Sequence, residues 1–243
     1  MTDTLRAEKL TKIYDHIAVV NEISIAMQSG EIIGLLGRNG AGKTTTFLML
    51  SGIVKPESGS VFFNDENINA LPSHQRAERG LIYLPQQHSI FLKATVYQNL
   101  YMVLELYHNK KEADRKANEL LTDFGLTTIK HSTAYQLSGG EKRRLEIARA
   151  MIMKPKFLFL DEPFTGIDPI TIIEIQKTIL KLKERNIGVI ITDHNVKDTF
   201  NITDRVYIIQ KGELLSTGIP SQVVKEPKTR ELFLGSDFQW HET

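Results

Sequence analysis

The stretch Gly37-Arg-Asn-Gly-Ala-Gly-Lys43-Thr44 follows the pattern G-x-x-x-x-G-K-[ST], and it joins an apolar run, residues 32–36, to a helical pattern. Glycines let a backbone wrap around a phosphate chain, and the start of a helix adds partial positive charge. Lys43 is expected to reach the β- and γ-phosphates, and Thr44 to ligate Mg²⁺. The loop predicts a nucleoside triphosphate site formed by Gly37, Arg38, Asn39, Gly40, Ala41, Gly42, Lys43, Thr44 and Thr45.

The composition and the net charge limit the classes of protein to which this chain can belong. The chain has 243 residues, of which 41% are hydrophobic and 24% charged, and this is ordinary globular composition. Thirty Lys and Arg residues against 29 Asp and Glu residues give a net charge of +1, so we expect no nucleic-acid partner. Cysteine is absent, which excludes disulfides and thiolate metal sites. The apolar runs are of strand length, far below the roughly 20 residues that cross a bilayer, so we expect a soluble chain.

The pattern on either side of the loop predicts an α/β fold. Residues 7–14 and 18–26 alternate between apolar and polar, which indicates antiparallel strands with one face in water. Residues 95–126 are helical in pattern and highly charged. Beyond them we expect a helix at 139–153, strands at 157–161, 188–192, 205–210 and 213–217, and helices at 170–185 and near 196–201.

This alternation of strands and helices predicts a mostly parallel sheet. We therefore expect one domain with a P-loop NTPase core, which combines a mixed, mostly parallel sheet with an antiparallel β subdomain. An α-helical lobe is inserted into this core. The core comprises about residues 1–86 and 155–243, and the lobe about residues 87–154.

Two carboxylates end the apolar run Phe157-Leu-Phe-Leu-Asp161-Glu162-Pro163. Asp161 is placed to hold the Mg²⁺ shell, as the acidic residue of a Walker B strand does. Glu162 can orient or polarise a water molecule that attacks the γ-phosphate. Together with the phosphate loop, this pair predicts hydrolysis of the nucleotide.

A third motif, Leu137-Ser-Gly-Gly-Glu141, precedes a helical stripe of apolar residues. Ser138 can cap that helix, and Gly139 and Gly140 leave backbone N–H groups open to an anion. In combination with the phosphate loop and the acidic strand end, this motif resembles the signature of the ATP-binding-cassette (ABC) family. In that family the signature of one subunit closes on the ATP held by the other.

The resemblance extends over nearly the whole chain and implies roles for further residues. Tyr14 corresponds to the aromatic ring that stacks on adenine, and Gln86 to the glutamine that contacts Mg²⁺ and couples to the membrane partner. Asp168 corresponds to the aspartate of the D-loop, although Thr-Gly-Ile-Asp replaces the common Ser-Ala-Leu-Asp. His194 corresponds to the switch histidine at the γ-phosphate. Glu141 completes the signature, so the expected catalytic residues are Glu162, His194 and Gln86, and the expected metal ligands are Thr44, Gln86 and Asp161.

The resemblance also implies partners. Two copies of the chain are expected to enclose two ATP molecules head to tail, with twofold symmetry. The segments Phe164-Thr-Gly-Ile-Asp-Pro-Ile170 and Ile191-Thr-Asp-His-Asn-Val196 resemble those of the ATPases of bacterial lipopolysaccharide export. Their partners are the transmembrane proteins LptF and LptG, with LptC, which implies a peripheral position on the cytoplasmic face of the inner membrane. The apolar triplet Ile90, Phe91 and Leu92 is expected to line the groove that receives a coupling helix.

Alternatives stay open at this point. A branched-chain amino acid importer ATPase has a similar layout, and a soluble ABC ATPase would act on ribosomes or DNA. A regulatory module would bind nucleotide without turnover. The tail from Phe233 to Thr243 is expected to pack on its own domain or on the twin subunit, and the sequence does not choose between them.

Overall fold

Two β-sheets organise the protein, in a computed structural model that describes residues 2–235 and 237–240. A four-stranded sheet has the order β2-β1-β4-β5, and a six-stranded sheet the order β10-β9-β3-β8-β7-β6. The strands are β1 (Thr4–Tyr14), β2 (Ile17–Gln28), β3 (Ile32–Gly37), β4 (Ser58–Phe63), β5 (Glu66–Asn67), β6 (Leu81–Leu84), β7 (Phe157–Asp161), β8 (Gly188–Thr192), β9 (Arg205–Gln210) and β10 (Glu213–Gly218).

The smaller sheet is antiparallel throughout and follows the alternation of the sequence. β1 pairs with β2 on one side and with β4 on the other. Leu5, Ala7 and Leu10 of β1 are buried and face the core, and Glu8 and Lys9 are exposed. The sheet therefore buries one face and leaves the other in water, as expected from the period of two.

The larger sheet is parallel except for the antiparallel pair of β9 and β10. All residues of β3, β7 and β8 are buried, because helices or the second sheet cover both faces. In β7, Phe157 and Phe159 pack toward the antiparallel sheet, and Leu158 and Leu160 toward the helical lobe. Since parallel strands end at the same edge, the phosphate loop after β3 meets the residues that follow β7 and β8.

Helices cover this sheet and build the lobe between β6 and β7. The described helices are α1 (Lys43–Leu50), α2 (Ser73–Glu78), α3 (Val96–Leu104), α4 (Lys110–Asp123), α5 (Gly139–Met151), α6 (Pro169–Glu184), α7 (Val196–Phe200), α8 (Pro220–Val223) and α9 (Pro227–Thr229). Within residues 2–235 and 237–240, every helix is too short or too polar to span a bilayer.

The predicted fold class is confirmed, and the differences are local. The single helical pattern over residues 95–126 corresponds to two helices, α3 and α4. The second begins after Asn109, because the side chain of Asn109 caps it by accepting a hydrogen bond from the backbone N–H of Glu112 at 3.0 Å. Sequence reasoning did not identify α2 or β6.

The described part of the tail packs on its own domain. Phe238 and Trp240 lie edge-on to Phe200 of α7, with ring centroids 6.2 and 5.4 Å away, and the Trp240 indole N–H donates to the Asn201 side chain at 2.9 Å. Phe233 joins the same cluster. Ser236 and residues 241–243 of the predicted tail lie outside the described residues.

Candidate active site

The phosphate loop encloses the ammonium group of Lys43. Its Nζ donates to the carbonyl oxygens of Gly37 at 2.8 Å and Arg38 at 3.2 Å, and the residue is only 6% exposed. Burial lowers the pKa of Lys43, whereas the nearby carboxylates of Glu162, Asp161 and Asp193 favour its charged form. Gly42 precedes Lys43 with φ +104°, and a Cβ there would lie 2.6 Å from the carbonyl oxygen of Val19, so the loop requires glycine at this position.

Asp161 stands at the end of β7 with its carboxylate held by hydroxyl groups. The residue is 3% exposed. The hydroxyl of Thr192 donates to Oδ1 at 2.5 Å, and that of Thr44 lies 3.4 Å from the same oxygen. The Tyr83 hydroxyl donates to Oδ2 at 3.0 Å. Burial raises the pKa of Tyr83 above its ordinary value, and the Asp161 charge and hydrogen bond raise it further, so the phenol is neutral and donates at physiological pH.

Glu162 follows in a left-handed backbone conformation, φ 47°, which is uncommon for a residue with a side chain. Its side chain meets both other residues predicted to be catalytic. Gln86 Nε2 donates to Oε2 at 2.7 Å, and His194 Nε2 lies 2.6 Å from Oε1. The Thr165 hydroxyl also donates to Oε2, at 3.3 Å. The structure therefore gathers the predicted catalytic residues around one carboxylate.

These groups line a cleft of about 360 Å³. Asp161 is not part of the lining, but its Oδ1 lies 3.4 Å from the hydroxyl of Thr44, which is. The residues that line the cleft are Val19, Asn39, Gly40, Ala41, Gly42, Lys43, Thr44, Thr45, Gln86, Glu162 and His194.

The chemistry of this cleft suits Mg²⁺ bound together with a nucleotide. Mg²⁺ prefers oxygen ligands and is usually held by one or two carboxylates plus substrate phosphates. Asp161 and Thr44 offer a carboxylate and a hydroxyl side by side. Among residues 2–235 and 237–240, no group of three or more His, Asp or Glu side chains could hold a metal ion by itself. The donor set thus fits a metal ion that the nucleotide shares.

The signature residues lie outside the cleft lining. Ser138 caps α5, since its Oγ accepts from the Glu141 N–H at 3.3 Å, and the Glu141 carboxylate accepts from the Ser138 N–H at 2.8 Å. Gly139 follows at the first position of α5. A Cβ on Gly140 would lie 1.9 Å from the Thr171 side chain, so only glycine allows α5 to approach α6 this closely.

Asp168 and Tyr14 also lie outside the cleft lining. Asp168 caps α6 by accepting from the N–H of Thr171 at 3.0 Å. Hydrogen bonding to the side chain and then to the backbone of Thr171 lowers the pKa of the Asp168 carboxyl group. Tyr14 ends β1 with 43% of its surface exposed, and the Lys12 ammonium lies 5.3 Å from the ring centroid.

The expectation that Ile90 lines an open groove is wrong. Ile90 is 7% exposed and belongs to the core cluster of the lobe. Phe91 and Leu92 are 50% and 44% exposed, so these two offer an apolar surface. The Arg149 guanidinium lies 5.3 Å from the centre of the Phe91 ring and also donates to the Ser89 carbonyl oxygen at 2.7 Å.

Sequence reasoning missed a buried ion pair in α5. Arg143 and Glu146 of α5 are 2% and 1% exposed, and their side chains are 3.2 Å apart. Arg143 donates to the carbonyl oxygens of Pro85 at 3.2 Å and Asp161 at 3.0 Å. Glu146 accepts from the Ser89 N–H at 2.6 Å. The pair therefore connects α5 to β7 and to both ends of the loop that carries Gln86.

Asp193 was also missed, and it fastens two loops of the site. Its carboxylate accepts from the backbone N–H of Phe164 at 2.8 Å and from that of Asn195 at 2.9 Å. Burial raises its pKa, although the hydrogen bonds that it accepts act in the opposite direction. The sequence signal was an acidic residue directly before His194, at the end of a buried strand.

Known proteins are similar to this chain in sequence and in architecture. The family profile described as ABC transporter matches residues 20–165. The chain is 46% identical to the lipopolysaccharide export system ATP-binding protein LptB of Haemophilus influenzae, covering 97% of this chain and 98% of that protein. It is 45% identical to the protein of the same name from Escherichia coli K12, over 97% and 99% of the two chains.

Solved structures of ATP-binding cassettes have the same fold as this chain. The structure of cbiO1 from Clostridium perfringens, part of the ABC transporter complex cbiONQ, is 28% identical with a TM-score of 0.83, over 93% and 92% of the two chains. A dimeric post-hydrolysis ATP-binding cassette with ADP and Pi is 22% identical and has the same fold, with a TM-score of 0.76 over 88% and 98%. With its phosphate loop, acidic strand end and signature in this arrangement, the chain belongs to the ABC transporter family, as an ATP-binding cassette.

Proposed function

We propose that this chain is the ATPase subunit that powers export of lipopolysaccharide from the inner membrane toward the outer membrane. The observation that carries the ATPase part is the convergence of Lys43, Gln86, Glu162 and His194 on one cleft beside Asp161. The cargo is supported by near-full-length similarity to two proteins named for lipopolysaccharide export. Neither of them is named for amino acid import, so the importer alternative has no comparable support.

Hydrolysis at this cleft follows from the positions of its side chains. Mg²⁺, when held by Asp161, Thr44 and Gln86, supplies charge neutralisation to the nucleotide phosphates. Lys43 is aimed into the phosphate loop by the two carbonyl oxygens that it contacts. Glu162 orients the attacking water and accepts its proton.

Glu162 is engaged by Gln86 and His194 in the structure. It takes up the attacking water as these contacts rearrange around the γ-phosphate. His194 then supports the developing charge on the γ-phosphate.

A second copy of the chain completes the site. Ser138, Gly139, Gly140 and Glu141 lie outside the cleft lining of their own subunit, although helix starts of this kind bind phosphate. A head-to-tail pair with twofold symmetry places each signature against the ATP of the twin. Asp168 then lies at the seam between the subunits, and Tyr14 stacks on the adenine ring. The dimeric cassette of the same fold supports this arrangement.

Transmembrane subunits are the remaining partners. We infer that LptF and LptG, with LptC, receive the force of ATP-driven closure at the cytoplasmic face of the inner membrane. Phe91 and Leu92 form the contact surface for a coupling helix, because they are exposed and follow the loop that carries Gln86.

Purification of the tagged chain from detergent-solubilised membranes tests the proposal. We expect LptF, LptG and LptC homologues to co-purify, and the complex in proteoliposomes to extract lipopolysaccharide only with hydrolysable ATP. Recovery of an amino acid permease in their place would refute the assignment of cargo. A complex without ATPase activity would refute the enzymatic role.

A further inference from the structure

The hydroxyl of Tyr83 makes a contact that the packing of its ring does not require. The ring lies edge-on to Phe47 of α1, with centroids 6.3 Å apart and planes at 85°. A phenylalanine ring would fill this space equally well. The hydroxyl reaches past the ring contact to Asp161 Oδ2, at 3.0 Å.

The sheet places these two side chains together. Tyr83 is paired in register with Phe159 of β7, and Asp161 lies two residues further along that strand, on the same face. Thr192 is paired with Asp161 on the other side, in β8, and donates to Oδ1. Each oxygen of the carboxylate therefore has a hydroxyl donor from a different neighbouring strand. Rotation of the carboxylate about χ2 would break both bonds.

We propose that Tyr83 is a positioning residue for the metal ion. Its hydroxyl group holds the Asp161 carboxylate in the orientation that receives magnesium nucleotide. Partners that orient a ligating side chain raise metal affinity, and their loss typically costs about 10- to 100-fold. Tyr83 also lies three residues before Gln86 in the sequence. The strand that orients the metal carboxylate thus leads directly into the loop that contacts Glu162. This inference rests on the proposed function, since it requires a magnesium nucleotide in the cleft.

The Tyr83→Phe variant tests it, because the substitution removes one oxygen atom and keeps the ring. Binding of a fluorescent ATP analogue is measured in the full chain, in a Glu162→Gln background that prevents turnover. The titration runs from EDTA to saturating Mg²⁺. We expect the half-saturating Mg²⁺ concentration to rise about 10-fold or more, with unchanged affinity for the analogue in EDTA.

Tyr97→Phe is the matched control. Its hydroxyl donates to the Asp114 carboxylate at 2.8 Å, on the helical lobe, so the same chemical group is removed from the same kind of bond. We expect its Mg²⁺ titration to superimpose on that of the parent. Thermal melts of the variants verify that each is folded.

The outcomes separate this inference from the proposed function. A Tyr83→Phe titration that superimposes on the parent overturns the positioning role alone. Equal losses of affinity with and without Mg²⁺ also overturn it, because they indicate a general structural effect. Analogue binding that does not respond to Mg²⁺ in the parent overturns both the inference and the proposed magnesium nucleotide site.

Discussion

Replacement of Glu146 by glutamine leaves the buried positive charge of Arg143 in α5 without its partner carboxylate. The substitution keeps the shape of the side chain and removes its negative charge. Arg143 then remains 2% exposed with no carboxylate at 3.2 Å to offset its charge. Burial already lowers the pKa of Arg143, and Glu146 makes the largest contribution in the opposite direction.

Breaking a buried ion pair from one side typically costs 3–5 kcal/mol. We expect about 3 kcal/mol for Glu146→Gln, near the lower limit, because the amide oxygen can still accept the hydrogen bond from Ser89. For a chain of this length, such a loss lowers Tm by roughly 6–12 °C. Urea unfolding followed by circular dichroism measures the free energy, and calorimetry measures Tm.

Glu174→Gln is the matched control. Glu174 pairs with Arg144, the neighbour of Arg143 on α5, but its side chain is 53% exposed. Exposed ion pairs contribute about 0–1 kcal/mol because water screens them. A loss of stability in Glu146→Gln no larger than in Glu174→Gln would refute the view that burial makes the pair essential.

Further substitutions test the remaining roles. Glu162→Gln is expected to bind ATP, accumulate as a closed dimer on gel filtration and lose phosphate release by at least about 100-fold, and near-normal turnover would contradict its role. Lys43→Ala is expected to weaken binding of an ATP analogue roughly 10- to 100-fold, because a charged hydrogen bond to phosphate is lost, and equal affinity would count against the phosphate loop. Phe91→Ala is expected to reduce co-purification of the membrane subunits, and equal recovery would exclude the docking surface.

The sequence predicts best those elements whose signal is contained in a short segment. β7, β8 and β9 have the predicted bounds, because each contains a continuous apolar run that ends at a polar residue. The phosphate loop, Asp161, Glu162 and His194 come together because the parallel strands that precede them end at one edge of the sheet. By contrast, β6 has only four residues, and an apolar run of that length does not distinguish a strand from a helix.

The error at Ile90 has a physical reason. An apolar triplet without a period gives no information on which side chain points inward. Asn99 determines which side chain points inward. Its side chain accepts a hydrogen bond from the Phe91 N–H at 2.8 Å and donates one to the Phe91 carbonyl oxygen at 3.0 Å. These bonds fix the backbone with Ile90 in the core and Phe91 half exposed. The determinant lies eight residues away, beyond the reach of a local pattern.

The sequence contains enough information to predict the buried ion pair of α5, but a search for functional motifs overlooks this pair. Motifs identify side chains that touch a ligand, whereas Arg143 and Glu146 touch other parts of the protein. They share one helical stripe with Ile147 and Ala150, at the i, i+3, i+4, i+7 spacing of a buried face. Opposite charges on such a stripe must pair, because an unpaired buried charge is costly. A buried ion pair therefore follows from periodicity and solvation alone, and its connection to the loop carrying Gln86 follows only from the fold.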